Sequence, residues 1–426
     1  MSSAKNDAFS NRPFNWMNSA DDCLRRTAAA PQAQQADLTI LLVDGVYMSR
    51  VALIRCESYD YGSVRKAVEK GLDLLGGAGA FVKPGEKILL KPNILSADPP
   101  EKCVTTHPSV FKAVGEIFRE TGALLTYGDS PGFHSPKAAA KKSGMADAAE
   151  ELGISLANFY DGEEVSFHEG IQNKKFVIAK GVLESDGLIS IPKLKTHGLA
   201  RMTGSVKNQF GCVPGPLKGE MHVKLPNVFD FARMLVDLNR LLKPRLYIMD
   251  GIMAMEGNGP RGGTPKKMEV LLLSADPIAL DATVCRLVNL EPEFVPTIKV
   301  GAEMGLGTFD KDNIELVGDP FESFQTPDFD VKREPVKPFR AGSAVHFARN
   351  LVVPKPFIDR NKCIRCGVCV NVCPVNPKAV NWHDGIKTKP PAYRYKTCIR
   401  CYCCQEMCPE SAIHLKVPLI RKIIRI

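Results

Sequence analysis

No stretch of this 426-residue chain is apolar over the length needed to cross a bilayer, so an integral membrane segment is not expected. No G-x-x-x-x-G-K-[ST] run is present, which argues against a P-loop ATPase. Zinc-finger, helix-turn-helix and RNP patterns are also missing, so nucleic acid is not an expected partner despite a net charge of +9. An excess of that size favours anionic ligands or acidic partners. Arg25-Arg26 is a twin arginine, but Thr27-Ala28-Ala29-Ala30-Pro31-Gln32 follows it instead of an apolar region, which makes a poor export signal. One segment, Gly257-Asn258-Gly259-Pro260-Arg261-Gly262, formally matches G-x-G-x-x-G. A dinucleotide loop must directly follow a strand and open a helix. Here Pro260 and then Thr264-Pro265-Lys266-Lys267 lead into a strand at Glu269, so a glycine-rich loop closing over a crevice with Glu256 is expected instead.

What is present is cysteine, unevenly placed. Nine of the 14 lie between Cys363 and Cys408. The run Cys363-x2-Cys366-x2-Cys369-x3-Cys373-Pro374 returns as Cys398-x2-Cys401-x2-Cys404-x3-Cys408-Pro409. This is the bacterial ferredoxin pattern, in which the fourth cysteine of each run serves the other cluster. Two 4Fe–4S clusters are expected, one on Cys363, Cys366, Cys369 and Cys408, the other on Cys398, Cys401, Cys404 and Cys373. Zinc sites pair two C-x2-C hooks around one ion, which fits a doubled three-plus-one run poorly. Disulfides need an oxidising compartment, and a reducing cytoplasm is the expected location. Cys403 falls between ligands as a spare thiol. Cys23, Cys56, Cys103, Cys212 and Cys285 read as reduced core or surface thiols.

Residues 1–47 read as a disordered, dispensable extension, with Met48 opening the first strand; a start codon assigned too far upstream would account for it. From there strands and helices alternate. Strands are expected at Val51–Cys56, Lys87–Lys91, Leu124–Tyr127, Gly187–Ile191, Leu246–Met249 and Glu269–Leu273, with an antiparallel excursion at Val165–Phe167 and Lys175–Ile178. Helices are expected at Tyr61–Leu75, Pro108–Thr121, Pro136–Leu152, Asn227–Leu241 and Ile278–Val288. The alternation predicts an α/β layered sheet with helices on its faces over residues 48–318. A proline-rich linker spans 319–356. A small α+β bacterial-ferredoxin-like domain occupies 357–416. A basic amphipathic tail, 417–426, is expected to dock on the protein's own core.

Polar residues gather just after four predicted strands: Lys91-Pro92-Asn93, Gly128-Asp129-Ser130-Pro131-Gly132, Pro192 to His197, and Asp250-Gly251. Ligands of open α/β sheets bind beyond the carboxyl ends of strands. Lys193, Lys195, His197 and Asp129 are therefore candidates for acid–base work on a carboxylate or phosphate. Lys91, Asn93, His107, Lys207, Asn208 and Asp250 are candidates for holding it. Gly204-Ser205-Val206-Lys207-Asn208 is expected to open a helix able to hold an anion. Asp276-Pro277 reads as a helix cap.

These strand-end segments, with Asp276-Pro277-Ile278-Ala279-Leu280-Asp281, resemble the family called domain of unknown function 362. Cys398-Ile399-Arg400-Cys401-Tyr402-Cys403-Cys404-Gln405-Glu406-Met407-Cys408-Pro409 resembles its usual cluster module, extra cysteine included. The resemblance covers about Met48 to Leu415. It implies a cytosolic prokaryotic iron–sulfur protein of two-part build, with no general reaction attached. The α/β part is distantly similar to the lactate racemase type of fold, whose activity and nickel do not carry over. The reading that results is an iron–sulfur redox protein, possessing two clusters that exchange electrons with an anionic small molecule in the α/β domain. The alternatives are an electron carrier or adaptor serving a partner enzyme, and a metal-cofactor maturation factor.

Overall fold

The computed structural model describes residues 40–43, 46–336, 353–385 and 387–418. Its centre is an 11-stranded sheet, with strand order β1-β2-β12-β11-β8-β3-β4-β5 along the main path. These are β1 (Ile40–Val43), β2 (Val46–Arg55), β3 (Lys87–Pro92), β4 (Leu124–Tyr127), β5 (Ser155–Leu156), β8 (Gly187–Ile191), β11 (Leu246–Glu256) and β12 (Thr264–Ser274). Three further strands join it off this path: β9 (Lys193–His197), β10 (Arg201–Met202) and β13 (Ile314–Gly318). The excursion β6 (Gly162–Ser166) and β7 (Lys175–Ala179) forms a separate antiparallel pair.

Period-two burial assigns the strand side chains to two cores, one on each face of the sheet. Val51, Leu53 and Leu89 join one core; Ala52, Ile54, Ile88 and Leu90 join the other. The second is capped by α1 (Tyr61–Asp73), α2 (Pro108–Glu120) and α4 (Met145–Leu152), through Val68, Phe111 and Leu152. The first is capped by α8 (Val228–Leu242), α9 (Pro277–Leu287) and α10 (Pro296–Glu303), through Leu235, Val284 and Ile298. With both faces covered, β3 runs parallel to β4 and β8 as an almost continuously apolar strand.

Several sequence expectations need correction. The chain is already in the sheet before Met48: β2 begins at Val46 and β1 pairs with it antiparallel. Disorder up to residue 47 therefore does not hold for these segments, and residues 1–39 lie outside the described residues. The helix expected at Pro136–Leu152 is two helices, α3 (Pro136–Lys142) and α4, broken at Gly144, whose φ is 75°. Residues 319–331 are not a free linker, because Phe324, Phe329 and Val331 are buried in the core and Thr326 N–H donates to Leu287 O at 2.7 Å. Residues 337–352 and the tail from 419 onward lie outside the described residues.

The C-terminal module is small. β14 (Lys355–Ile358) pairs antiparallel with β17 (Ile413–Lys416), and β15 (Val380–Asn381) with β16 (Ala392–Tyr393). Two short helices, Val368–Asn371 and Cys403–Glu406, follow the two cysteine loops. The loops repeat each other in backbone as well as in sequence. Arg365 and Arg400 have φ of 58° and 63°, and Gly367 and Tyr402 have φ of 78° and 64°. Each left-handed residue therefore sits at the equivalent place in its run.

Candidate functional site

Of the four polar strand-end segments expected to share one site, those at Asn93 and at 129–132 reach a common cavity; Lys193, Lys195, His197 and Asp250 do not line it. The cavity, of about 750 Å³, opens beyond the strand ends. Asn93, Asp129, Lys207 and Asn208 line it on the α/β side. Its opposite wall comes from the cluster module: Asn371, Val372, Cys373, Pro374, Cys403, Glu406 and Met407.

Lys91 and Lys195 stand one layer back. Lys91 Nζ bonds Asp129 Oδ1 at 2.9 Å, with both side chains buried, and Asp129 Oδ2 accepts Ile94 N–H at 2.6 Å. Lys195 Nζ donates to Asn93 Oδ1 at 2.7 Å and to Val104 O at 2.6 Å. Asn93 in turn donates from Nδ2 to Asn208 Oδ1 at 3.2 Å. Lys195 thus fixes which face of the Asn93 amide meets the cavity. Burial lowers the Lys195 ammonium to about 7, with Lys207 and Lys193 adding to the effect.

Lys193, Asp250 and His107 belong to a different cluster and are not among the cavity-lining residues. Lys193 Nζ pairs with Asp250 Oδ2 at 2.7 Å and donates to Tyr59 OH at 2.8 Å. Tyr59 OH donates to Asp250 Oδ1 at 2.8 Å, and His107 N–H donates to Asp250 Oδ2 at 2.9 Å. The His107 ring stacks on Tyr59 at 3.6 Å, and its Nδ1 accepts Ser109 N–H at the start of α2. The expected binding role for His107 gives way to capping and stacking.

His197 lies in the contact between the two parts of the protein. Its Nδ1 accepts N–H bonds from Leu199 and Ala200, so the proton is on Nε2, which faces Glu406 Oε1 at 3.1 Å. The segment from Lys193 to His197 is itself a buried strand, β9, parallel to β11. The helix start expected to hold an anion is already filled. The Asp281 carboxylate accepts Ser205 N–H at 2.6 Å and Val206 N–H at 3.3 Å, at the head of α6 (Gly204–Asn208).

Sequence reading missed Lys218 and His222, which line the cavity from α7 (Gly215–Lys224). Their i,i+4 spacing puts them on one helix face, a signal masked by the Gly-Pro-Leu-Lys-Gly start of that helix. Lys218 Nζ donates to the carbonyls of Ser130 and Pro131. Burial lowers Lys218 to about 8. Burial also lowers His222 to about 4, and its ring stacks on Phe231 at 4.4 Å. Lys207 is likewise depressed by burial, against the pull of Glu406. Phe133, Phe159, Tyr160 and Phe210 supply aromatic surface between these cations.

The glycine-rich loop at 257–262 has a role its motif does not announce: it docks the cluster module. Arg261 pairs with Asp98 through Nε at 2.6 Å and Nη2 at 3.1 Å, and donates from Nη1 to Met407 O at 2.6 Å. Asn258 Nδ2 donates to Ile413 O at 3.1 Å, and Gln405 Nε2 donates to Asn258 Oδ1 at 2.8 Å. A Cβ on Gly259 would stand 2.3 Å from Thr196 O, so only glycine allows this approach. Arg261→Lys keeps the charge but loses the fork, which is expected to cost about 1.5–3 kcal/mol. The check is limited proteolysis of the anaerobic protein, where the variant should release the cluster module faster than wild type.

Within that module the eight patterned cysteines fall into two sets. Cys363, Cys366, Cys369 and Cys408 line one cavity, and Cys373, Cys398, Cys401 and Cys404 line another. Sulfur atoms accept bonds that suit thiolates: Ala379 N–H to Cys373 Sγ and Ala412 N–H to Cys408 Sγ, both at 3.3 Å, and Tyr393 OH to Cys404 Sγ at 3.2 Å. Among the described residues no group of three metal-ligating side chains converges on a single ion. Four cysteines around one cavity are a donor set of the soft kind that suits a 4Fe–4S cluster. Cys403 lies outside both sets and faces the large cavity. Cys56, Cys103, Cys212 and Cys285 are buried thiols, and Cys23 lies outside the described residues.

A family model described as domain of unknown function (DUF362) matches residues 88–286, and a 4Fe-4S dicluster domain model matches residues 355–409. The chain is also similar to the thylakoid-associated protein sll1697 of Synechocystis sp.. The two are 37% identical over 257 residues, covering 60% of this chain and 79% of that protein. No helix among the described residues is long and apolar enough to cross a membrane.

Proposed function

This chain belongs to the domain of unknown function 362 family and carries a ferredoxin-type 4Fe–4S module, and from that premise we propose that it is an iron–sulfur oxidoreductase acting on an anionic small molecule. In this reading two clusters are held by the two cysteine sets. The observation that carries the proposal is the position of Cys373, which lines both the second cluster cavity and the large cavity at the strand ends. Cys373, Cys398, Cys401 and Cys404 would hold a cluster there, and it would supply single-electron chemistry beside the cavity.

The chain's own residues supply the rest. Lys207 and Lys218, both half-buried in the cavity wall, present ammonium groups to an anion. Asn93 and Asn208, cross-linked and backed by Lys195, orient it. Aromatic side chains exclude water from the remainder. Lys218, lowered to about 8, can give a proton near neutral pH. Below that value the group is charged, so anion-dependent turnover is expected to decline as pH rises through about 8. A reducing compartment such as the cytoplasm suits the described cysteines, which are free thiols. The Synechocystis relative's name associates that protein with thylakoids; an adaptor at a membrane would draw on that, but a cavity lined by the half-buried cations Lys207 and Lys218 favours ligand binding.

The test is anaerobic reoxidation of dithionite-reduced protein by a protein-free, low-molecular-weight extract of the host, followed by cluster absorbance. Wild type should reoxidise, and Lys207→Met should lose most of that rate while keeping its cluster spectrum. Reoxidation only after host proteins are restored would replace the enzyme reading with a carrier.

A further inference from the structure

The two cysteine sets face different surroundings. Cys373 of the second set borders the internal cavity. Cys366 of the first set is exposed, and so is its neighbour Ile364, 59% accessible. Around that outer end cations accumulate. Arg360, Lys362 and Arg365 are exposed on the turn and loop that carry Cys363 and Cys366. Arg365 Nη1 donates to Thr388 O at 2.8 Å, which brings the segment holding exposed Lys387 and Lys389 against the same loop. Among the side chains described on these two segments and on the Cys408 turn, half-buried Asp359 and exposed Glu410 are the carboxylates. The first cluster cavity is thus capped by an exposed thiol and an exposed isoleucine inside a positive collar.

Resting on the two-cluster reading above, we propose that this collar is the docking surface for a small acidic one-electron donor protein, and that electrons enter at the outer cysteine set and leave at the inner one. The chemistry is a bare electron transfer: the reduced donor loses one electron, the outer site gains one, and no bond or proton is exchanged. Complementary charge would steer the encounter, while Ile364 gives the small apolar centre that brings the two redox groups close. The collar is favoured over a lipid surface as the explanation because the charges ring a cluster ligand, where a protein donor needs contact and a lipid headgroup does not.

The probe is a photoreduced acidic [2Fe–2S] ferredoxin, mixed with the oxidised cluster-loaded protein in a stopped-flow instrument without any cavity ligand. The reduction rate should fall steeply as salt rises from about 20 to about 500 mM, because screening shortens the reach of the collar. The triple variant Lys362→Glu, Lys387→Glu, Lys389→Glu should react at least about tenfold more slowly at low salt, with dithionite reduction unchanged. Calorimetric binding of the oxidised ferredoxin should be lost in parallel. A rate indifferent both to salt and to charge reversal would overturn the proposal, and the wild-type salt series decides this without any variant. Salt-sensitive cosedimentation with phosphatidylglycerol vesicles, coupled to a salt-insensitive donor rate, would also overturn it in favour of a lipid surface. Failure of the cavity to reduce any host compound leaves these readouts untouched, so the two proposals fail separately.

Discussion

Cys366→Ser is expected to remove half of the iron and acid-labile sulfide from anaerobically purified protein, and Cys403→Ser none. The argument rests on two separate cavities, each lined by four cysteines drawn from both runs. Cys366 is exposed at the mouth of the first, so its loss opens one cluster to solvent while leaving the second set complete. Serine is a harder ligand and holds iron–sulfur clusters poorly. Cys403 belongs to neither cavity, despite standing next to Cys404. Iron and sulfide assays with electron paramagnetic resonance of the reduced protein check this. Unchanged metal in Cys366→Ser, or a loss in Cys403→Ser, would overturn the ligand assignment.

Asp250→Ala is expected to destabilise the α/β domain by about 3–5 kcal/mol, the range for stripping one partner from a buried ion pair. Asp250 is fully buried and serves Lys193, Tyr59, the His107 amide and the Ile252 amide at once. Its removal leaves the Lys193 ammonium, 1% exposed, without its counter-charge and held by Tyr59 OH. Against a total stability of roughly 5–15 kcal/mol for a typical domain, that is a large fraction. The urea midpoint, followed by far-UV circular dichroism, reads the effect, and Asp250→Asn should lie between wild type and alanine. An unchanged midpoint would mean the cluster is hydrated and contributes little.

These two sites also show where sequence reading succeeds and stops. Cysteine spacing named eight ligand candidates because the two runs repeat one local pattern, and the left-handed residues at Arg365, Gly367, Arg400 and Tyr402 repeat with it. The strand Gly187–Ile191 was legible to the residue, since a buried parallel strand is a short apolar run, and Leu124–Tyr127 was equally legible although only Tyr127 of it is buried. The segment Lys193–His197 was not, because its polar residues read as a loop, yet ion pairs and amide contacts pay for burying them in a strand. The strand-end residues were found as a group, but a sequence cannot rank them by depth. Lys207 lines the cavity, Lys195 supports Asn93 from behind, and Lys193 serves another cluster altogether. Nor could the docking role of Arg261 be read, since its partners Asp98 and Met407 are distant in the chain.

The central claim is that electrons reach the cavity from the inner cysteine set. The most direct test compares single-turnover reoxidation, by the active fraction of host extract, in dithionite-reduced Cys366→Ser and Cys401→Ser. The first should retain only the inner cluster and still deliver its electron; the second should retain only the outer cluster and stall. Equal reoxidation in both, or the reverse order, would contradict the account.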